Sequence, residues 1–321
     1  MQLSIIVSTY NRAELLGEAL RSILEQETAS DWDWELLVVD NNSTDNTRAV
    51  VEVLLAQYPS RLRYIFEQEQ GLSAARNRGV RESSGAIVAF TDDDVRVASD
   101  WVETLRMVFD DHPHIHLVGG KILPRWNLPP PAWMGPRQQG SLALQDEGDE
   151  PFELNMQRPL FVAGANFAFR RDVFTEFGHF SLEFQRVKDF IGSNEDNEFL
   201  IRLYRGGLRG LYWPRLVVTA DIQLNRMEKN YHRRWMTGNG YFCARMRILE
   251  VFTKDRQLLA EPAPSRKLFG APLWCYREFG ARLQRGFVAL FTGDERERFA
   301  AANECRWLWS YLRQTWRSRS V

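Results

Sequence analysis

The residues Ala86-Ile87-Val88-Ala89-Phe90 run straight into Thr91-Asp92-Asp93-Asp94-Val95, an apolar stretch that ends in three consecutive aspartates. β-Branched and aromatic residues without a polar face indicate a strand covered on both sides. Such a strand delivers three carboxylates to one edge of a sheet. Neighbouring carboxylates repel, so a positive group has to stand close to them. A hard divalent cation with positions left open for phosphate oxygens answers that need, which points to Mg²⁺ or Mn²⁺. A solvated acidic turn leading to a helix near Ala98 is the structural alternative.

Upstream, strands and helices alternate. Leu3 to Ser8 reads as a strand, and Arg12 to Glu27 as a helix through Leu15, Leu16, Ala19, Leu20, Ile23 and Leu24. Trp34 to Asp40 is a second strand, and Ser43 and Thr44 offer an N-cap for a helix running through Leu55. Leu62 to Phe66, a helix over Ser73 to Glu82 and the Ala86 strand continue the pattern. Alternation of this kind predicts an α/β fold with a mainly parallel sheet, whose ligands bind outside the carboxyl ends of the strands. Three strand ends are polar: Thr9-Tyr10-Asn11-Arg12, Asp40-Asn41-Asn42-Ser43 and Asp92 to Asp94. Taken singly, the first two are ordinary caps and Asx turns. Together they suit a nucleotide: Asp40 accepts from the imide N–H of uracil, Tyr10 covers the base, and the aspartates take ribose hydroxyls and a metal on the pyrophosphate. Neither GxGxxG nor GxxxxGK[ST] follows the first strand, which speaks against a dinucleotide fold and a P-loop.

The 321 residues carry a net charge of only -1, which conceals a split. Residues 226–321 hold 19 Lys and Arg against 9 Asp and Glu, a net of +10, so the first 225 residues carry -11. An acidic body followed by a basic region is expected to meet anionic partners, phosphates or lipid headgroups. Nucleic acid is not among the partners expected. The three cysteines, Cys243, Cys275 and Cys305, show no CxxC spacing, which suggests reduced thiols and a cytoplasmic setting. Only a strand-length apolar run follows Met1, so no signal peptide is expected, and no window has the ~18 apolar residues of a spanning helix.

Six blocks carry a family resemblance: Ser8-Thr9-Tyr10-Asn11-Arg12, Val39 to Asp45, Gly71 to Gly79, Phe90 to Asp94, Phe161 to Arg171, and Asn194 to Leu203. In this order they resemble the successive signatures of family 2 glycosyltransferases with the GT-A fold, over roughly residues 2 to 240. The resemblance implies a GT-A domain over 1–224 and a C-terminal basic, aromatic-rich helical region over 225–321. It implies a UDP-sugar donor, Mg²⁺ or Mn²⁺ on its diphosphate, and inverting transfer to a hydroxyl of a glycan or lipid-linked acceptor. On the donor side it selects Ser8, Thr9, Tyr10, Asn11, Arg12, Asp40, Asn42, Arg76, Asn77, Asp92 and Asp93. The metal falls to Asp94 and Asp92, and the sugar or acceptor side to Gly164, Ala165 and Asn166.

Inverting transfer in one displacement needs a base opposite the leaving group. Asp196, paired with Glu195 at the start of a helix whose Phe199, Leu200, Leu203 and Tyr204 face the core, is the candidate. Both acids also suit a helix N-terminus electrostatically. The chain departs from the family twice. A late metal-ligand His is missing from Val217 to Ile222, leaving Asp221 as an oxygen ligand. Tyr231-His232-Arg233-Arg234-Trp235 resembles the QxxRW motif with Tyr for Gln, which argues against processive synthesis and leaves Arg233 and Arg234 as diphosphate contacts.

Prolines between Pro124 and Pro159 predict a long loop, either over the active-site mouth, where Trp126 or Trp133 can stack on an acceptor sugar, or packed as a structural loop, and Gln185 to Ser193 reads as a mobile lid. Beyond Gln223, long helices are expected over Asn225–Phe252, Ser265–Phe291 and Asp294–Trp316. Their tryptophans and arginines suit either a core or the inner face of a membrane. A nucleotidylyltransferase would show a glycine-rich loop after the first strand, which Ser8 to Arg12 lacks. A sugar-nucleotide-binding protein without turnover is the other alternative.

Overall fold

A computed structural model describes residues 1–28, 32–188, 190–248 and 266–318. The chain divides into two compact units: Met1–Arg125 with Ala143–Lys188 and Glu195–Asp221, and Trp126–Leu142 with Asp189–Asn194 and Ile222–Val321.

The first unit has the GT-A type of architecture, a central sheet flanked by helices. Strands β1 (Leu3–Thr9), β2 (Trp34–Asp40), β3 (Leu62–Phe66) and β4 (Ile87–Asp92) alternate with helices α1 (Ala13–Leu24), α2 (Thr47–Gln57) and α3 (Leu72–Glu82). All seven residues of β2 are buried, as expected of an apolar run covered on both faces. Its first acid, Glu35, accepts from Ser4 Oγ at 2.7 Å, Ser84 N at 2.9 Å and Arg63 Nη1 at 2.9 Å. Burial alone would raise its carboxyl, but these donors outweigh it and the pKa is lowered. Helix α2 begins three residues beyond the Ser43/Thr44 signal, because Asp45 Oδ1 takes the Thr47 amide at 3.0 Å.

The rest of the sheet is β5 (Val95–Val97), β6 (Leu117–Trp126), β7 (Phe152–Leu154), β8 (Asn166–Arg170) and β9 (Gly210–Ile222). The order is β3-β2-β1-β4-β8-β6-β9-β5, with β7 also on β9. Pairing is parallel among the first four strands, while β4–β8, β6–β8, β5–β9 and β7–β9 are antiparallel. Helices α4 (Trp101–Asp111), α5 (Asp172–Glu176) and α6 (Glu195–Arg205) complete the unit. Phe90, Phe167, Phe169 and Phe199 fill its core with edge-on contacts such as Phe90–Phe167 at 5.4 Å.

The second unit contains α7 (Lys229–Arg245), α8 (Leu273–Thr292) and α9 (Glu295–Arg317), with a 3₁₀ turn over Pro136–Leu142. Helix α7 ends before the expected Phe252, and residues 249–265 lie outside the described chain. Helix α9 has its own N-cap, Asp294 Oδ1 accepting the Glu297 amide at 2.9 Å. Trp133 is a core residue here, 8% exposed and packed on Phe299 at 4.6 Å and His232 at 5.2 Å. The expectation that it stacks on a sugar is thereby corrected in favour of the packed loop, because the ring is buried against Phe299 and His232.

His232 is 1% exposed, with Nε2 2.9 Å from the Arg226 carbonyl and Nδ1 2.6 Å from Ser141 Oγ. The carbonyl can only accept, so Nε2 carries the proton of a neutral ring. Burial pushes the imidazole pKa down to about 4. The unfolded chain, titrating near the ordinary ~6.5, binds the proton that the folded chain refuses, so acid favours unfolding. Stability from this residue should be complete above pH ~6.5 and lost down to about pH 4, by about 3 kcal/mol in all. Denaturant titrations at pH 7 and pH 4.5 should show His232→Gln losing about 2 kcal/mol less than wild type between the two; equal losses would refute the assignment.

Candidate active site

In register, Thr9 lies opposite Asp40 and Ser8 opposite Asp92, so three polar strand ends share one edge of the first unit's sheet. The loops leaving them are tied together. Asn11 and Asn42 take left-handed φ of 51° and 66°, which Asn tolerates better than most residues. Asn11 Oδ1 accepts from Thr44 N at 2.7 Å, and Asn11 N donates to Ser43 Oγ at 2.9 Å. Asp40 is 2% exposed and accepts from Ser43 N at 2.9 Å and from the Tyr64 hydroxyl at 2.7 Å. Burial, then the hydrogen bond to Asp40, raises the Tyr64 pKa. Tyr10 flanks Asp40's strand end half-buried.

Asn41 anchors the entrance to α3, its Oδ1 accepting from Gly71 N at 2.7 Å and its Nδ2 donating to the Glu69 carbonyl at 2.6 Å. Gly71 has a φ of 148°, and a Cβ there would overlap the Gln185 amide. Gln185 is 8% exposed and accepts from Ala74 N at 3.1 Å. The start of the segment expected to form a lid is therefore pinned to α3, and Asp189 lies outside the described residues.

Two arginines neutralise the acidic cluster. Arg12 Nη1 lies 3.0 Å from Asp93 Oδ1 and 2.6 Å from Asp94 Oδ2, and both aspartates are 5% exposed. The charge of Asp93, then burial opposed by Asp94, leaves the Arg12 pKa raised. Arg76 is 3% exposed and held near the rings of Phe167 and Phe180 at 5.6 and 5.4 Å. It forms an ion pair with Asp196 Oδ1 and lies 3.8 Å from Asp92 and 4.0 Å from Glu195. Asp196 Oδ2 accepts from Gly164 N at 3.0 Å. A Cβ on Gly164 would overlap the Arg76 guanidinium, so only glycine allows this approach. Asp92 is the open carboxylate of the triplet, its side chain 37% exposed. Desolvation by the cleft walls, against the pull of Arg76 and with repulsion from Asp94, Asp93 and Asp196, lifts its pKa to about 6.

Several expected contacts are spent elsewhere. Asn77 binds both backbone polar groups of Phe180, at 2.9 and 3.0 Å. Asn166 is 0% exposed: its amide donates to the Lys121 and Leu216 carbonyls at 2.8 Å, and its oxygen accepts from Trp101 Nε1 at 2.9 Å. These two are corrected to structural roles, since both side chains are buried and held by protein partners. Ala165 is buried beside them. Asp221 faces Arg125 Nε at 3.1 Å and Arg96 Nη2 at 3.2 Å, although its amide bonds the Asp94 carbonyl at 2.9 Å. Arg233 and Arg234 are exposed on α7 of the second unit. Gln185, Asn41 and Tyr64 were not foreseen as supports; Asn41 was signalled only by its place inside the Asp40-Asn41-Asn42 turn.

No group of three His, Cys, Asp or Glu side chains among the described residues is arranged to hold a metal. The donor chemistry nonetheless fits a hard cation, because every acid in the cluster offers oxygen and the Asp92 carboxylate, 3.8 Å from Arg76, is 37% exposed.

Residues 4–178, more than half of the chain, match the profile of the family described as Glycosyl transferase family 2. The chain belongs to this family. Among curated relatives of this glycosyltransferase family member, a glucosyl-dolichyl phosphate glucuronosyltransferase of Haloferax volcanii is 28% identical over 66% of each chain. A Campylobacter jejuni GalNAc(5)-diNAcBac-PP-undecaprenol beta-1,3-glucosyltransferase is 36% identical over 38% of each. The chain thus covers less than two thirds of these relatives' lengths. Among solved structures, the mannosyltransferase PcManGT from Pyrobaculum calidifontis, in complex with GDP-Man and Mn2+, aligns with a TM-score of 0.59 and 21% identity, over 95% of this chain and 87% of that one. TarS of S. aureus in complex with UDP-GlcNAc aligns at 0.57 with 17% identity, over 100% and 92%. These structural likenesses establish the GT-A fold of the family member.

Proposed function

We propose that this family 2 glycosyltransferase moves a sugar from a UDP-sugar to a hydroxyl of a glycan or lipid-linked acceptor, with inversion and with Asp196 as the base. One observation carries the reading: Arg76 touches Asp92 and Asp196 at once, so the acidic strand end and the helix acid share one cleft. Asp40, Tyr10, Asn11 and Asn42 would hold the nucleoside. Asp92, with Asp94 once Arg12 yields, would hold Mg²⁺ or Mn²⁺, which when bound neutralises the departing diphosphate. Asp196 is the better base because its side chain is 21% exposed, against 6% for Glu195. Its two oxygens keep lone pairs beyond those given to Arg76 and Gly164 N, enough to receive an acceptor proton.

The UDP reading is supported by the buried acceptor at Asp40, and two solved neighbours differ here, one with UDP-GlcNAc and the other with GDP-Man. A lipid-linked acceptor is supported by the dolichyl- and undecaprenol-linked substrates in the names of two relatives. It would set the enzyme at the cytoplasmic face of a membrane; no described helix is long and apolar enough to cross one. The test is turnover of a panel of UDP- and GDP-sugars with Mn²⁺, Mg²⁺ or EDTA. Release of UDP that EDTA suppresses at least about tenfold supports the proposal. Preference for GDP-sugars would overturn the donor assignment, and nucleotide binding with no turnover on any acceptor would favour a binding protein.

A further inference from the structure

Among the described residues of the second unit, one side of α8 is left uncovered. The helix meets α9 through Cys275, Arg282, Gly286 and Ala289, residues spaced by seven, four and three. Cys275 and Ala289 are 0% and 2% exposed, Arg282 Nε pairs with Glu304 at 2.9 Å, and a Cβ on Gly286 would just touch that of Ala301. The remaining arc is apolar and open. Leu283, Phe287, Val288, Leu290 and Phe291 are 53%, 61%, 51%, 56% and 77% exposed, and no charged residue occurs from Gly286 to Thr292. Scattered single apolar residues on a surface need no explanation, but five within nine positions of one helix do.

At the other end of α8 stands a two-stranded hairpin, β10 (Lys267–Leu268) and β11 (Ala271–Pro272). Its tip is Phe269-Gly270, with φ of 47° and 87°. A two-residue turn of this kind favours Asn-Gly, yet this chain sets a phenylalanine there and leaves it 58% exposed, beside Leu268 at 43%. Arg266, Lys267 and Arg277 are exposed around this end, and Arg296 and Arg298 just beyond the other.

We propose that α8 and the Leu268-Phe269 tip dock on the surface of an anionic lipid bilayer, the helix lying in the plane of the membrane with Phe287 and Phe291 in the acyl boundary. Three observations select this occupant. The helix is about 30 Å long but not apolar enough to span, which suits an interfacial position. The basic residues at both ends match anionic headgroups, in a region of net charge +10. A second copy of the chain would bring two such basic surfaces together and be repelled. The inference goes beyond the sugar-transfer reading and does not require it, since docking is read by binding and not by turnover.

The test is co-sedimentation of the full chain with vesicles of equal parts phosphatidylcholine and phosphatidylglycerol, and with phosphatidylcholine alone. Partition should be about tenfold or more higher on the anionic vesicles and weaken as salt is raised. Phe287→Ser with Phe291→Ser should lower it about tenfold, with the melting temperature unchanged because both rings lie outside the core. Absence of sedimentation, or undiminished binding by the double variant, overturns the proposal. So does a dimer in solution that the double variant converts to monomer, which would assign the face to a second copy.

Discussion

Asp196→Asn should lower kcat for sugar transfer by about 10²–10⁴-fold while leaving UDP affinity nearly unchanged. The amide is close to the carboxylate in size, so its oxygen can still meet Arg76 or the Gly164 amide, which now lies 3.0 Å from Oδ2. What it loses is the capacity to take a proton. On the transition-state scale that loss is about 3–5 kcal/mol. Glu195 is adjacent but cannot replace it, because its side chain is only 6% exposed and turned toward Arg76 at 4.0 Å. Glu195→Gln should accordingly change kcat far less than Asp196→Asn and act mainly on stability. Steady-state rates with UDP binding measured by calorimetry separate the outcomes. Asp196→Asn within about tenfold of wild type would place the base elsewhere, since a general base contributes at least about 10²-fold. A small fall in melting temperature is compatible, because Arg76 keeps Asp92 and Glu195 as counter-charges.

The parallel half of the sheet was legible because its strands announce themselves locally. Leu3 to Thr9, Trp34 to Asp40 and Ile87 to Asp92 are apolar runs that end in polar residues, and helices of clear period separate them. The antiparallel half was not, because β8 inserts between β4 and β6 through register contacts such as Phe90 with Phe167, and no local pattern encodes such a pairing. The same limit governs the site. Three aspartates in a row predicted a nearby positive group, but the sequence could not say that Arg12, some eighty positions away, already fills part of that role. Asn77 and Asn166 sit inside blocks that resemble ligand-binding signatures. Whether an asparagine there faces a ligand or satisfies buried carbonyls depends on neighbours that only folding supplies, and here it satisfies carbonyls. Trp133 followed the same logic: its proline-rich flanks suggested an exposed loop, while the rings that cover it come from His232 and Phe299.

Gly164→Ala is expected to be nearly as damaging as loss of the base, although it adds only a methyl group. The new Cβ would overlap the Arg76 guanidinium and lie 2.8 Å from both Arg76 Cζ and Asp196 Oδ2. A flexible, exposed partner would retreat at little cost. Arg76 cannot, being 3% exposed and held near the rings of Phe167 and Phe180. Asp196 must then move, and with it the Gly164 N–H contact that fixes its second oxygen. Overpacking of this kind costs about 1–3 kcal/mol of stability. Displacing a catalytic group by about 1 Å can cost about 10²-fold in rate, so kcat should fall by that order while UDP affinity changes little. Arg76→Lys tests the same linkage from the other side, since an ammonium cannot reproduce the spread of contacts that a guanidinium makes to Asp92, Glu195 and Asp196. If both substitutions act by displacing Asp196, the double variant should lose much less activity than the product of the two single losses. Fully multiplicative effects would mean that Gly164 and Arg76 serve the reaction independently, and the cleft would then not be the coupled unit on which the placement of the base depends.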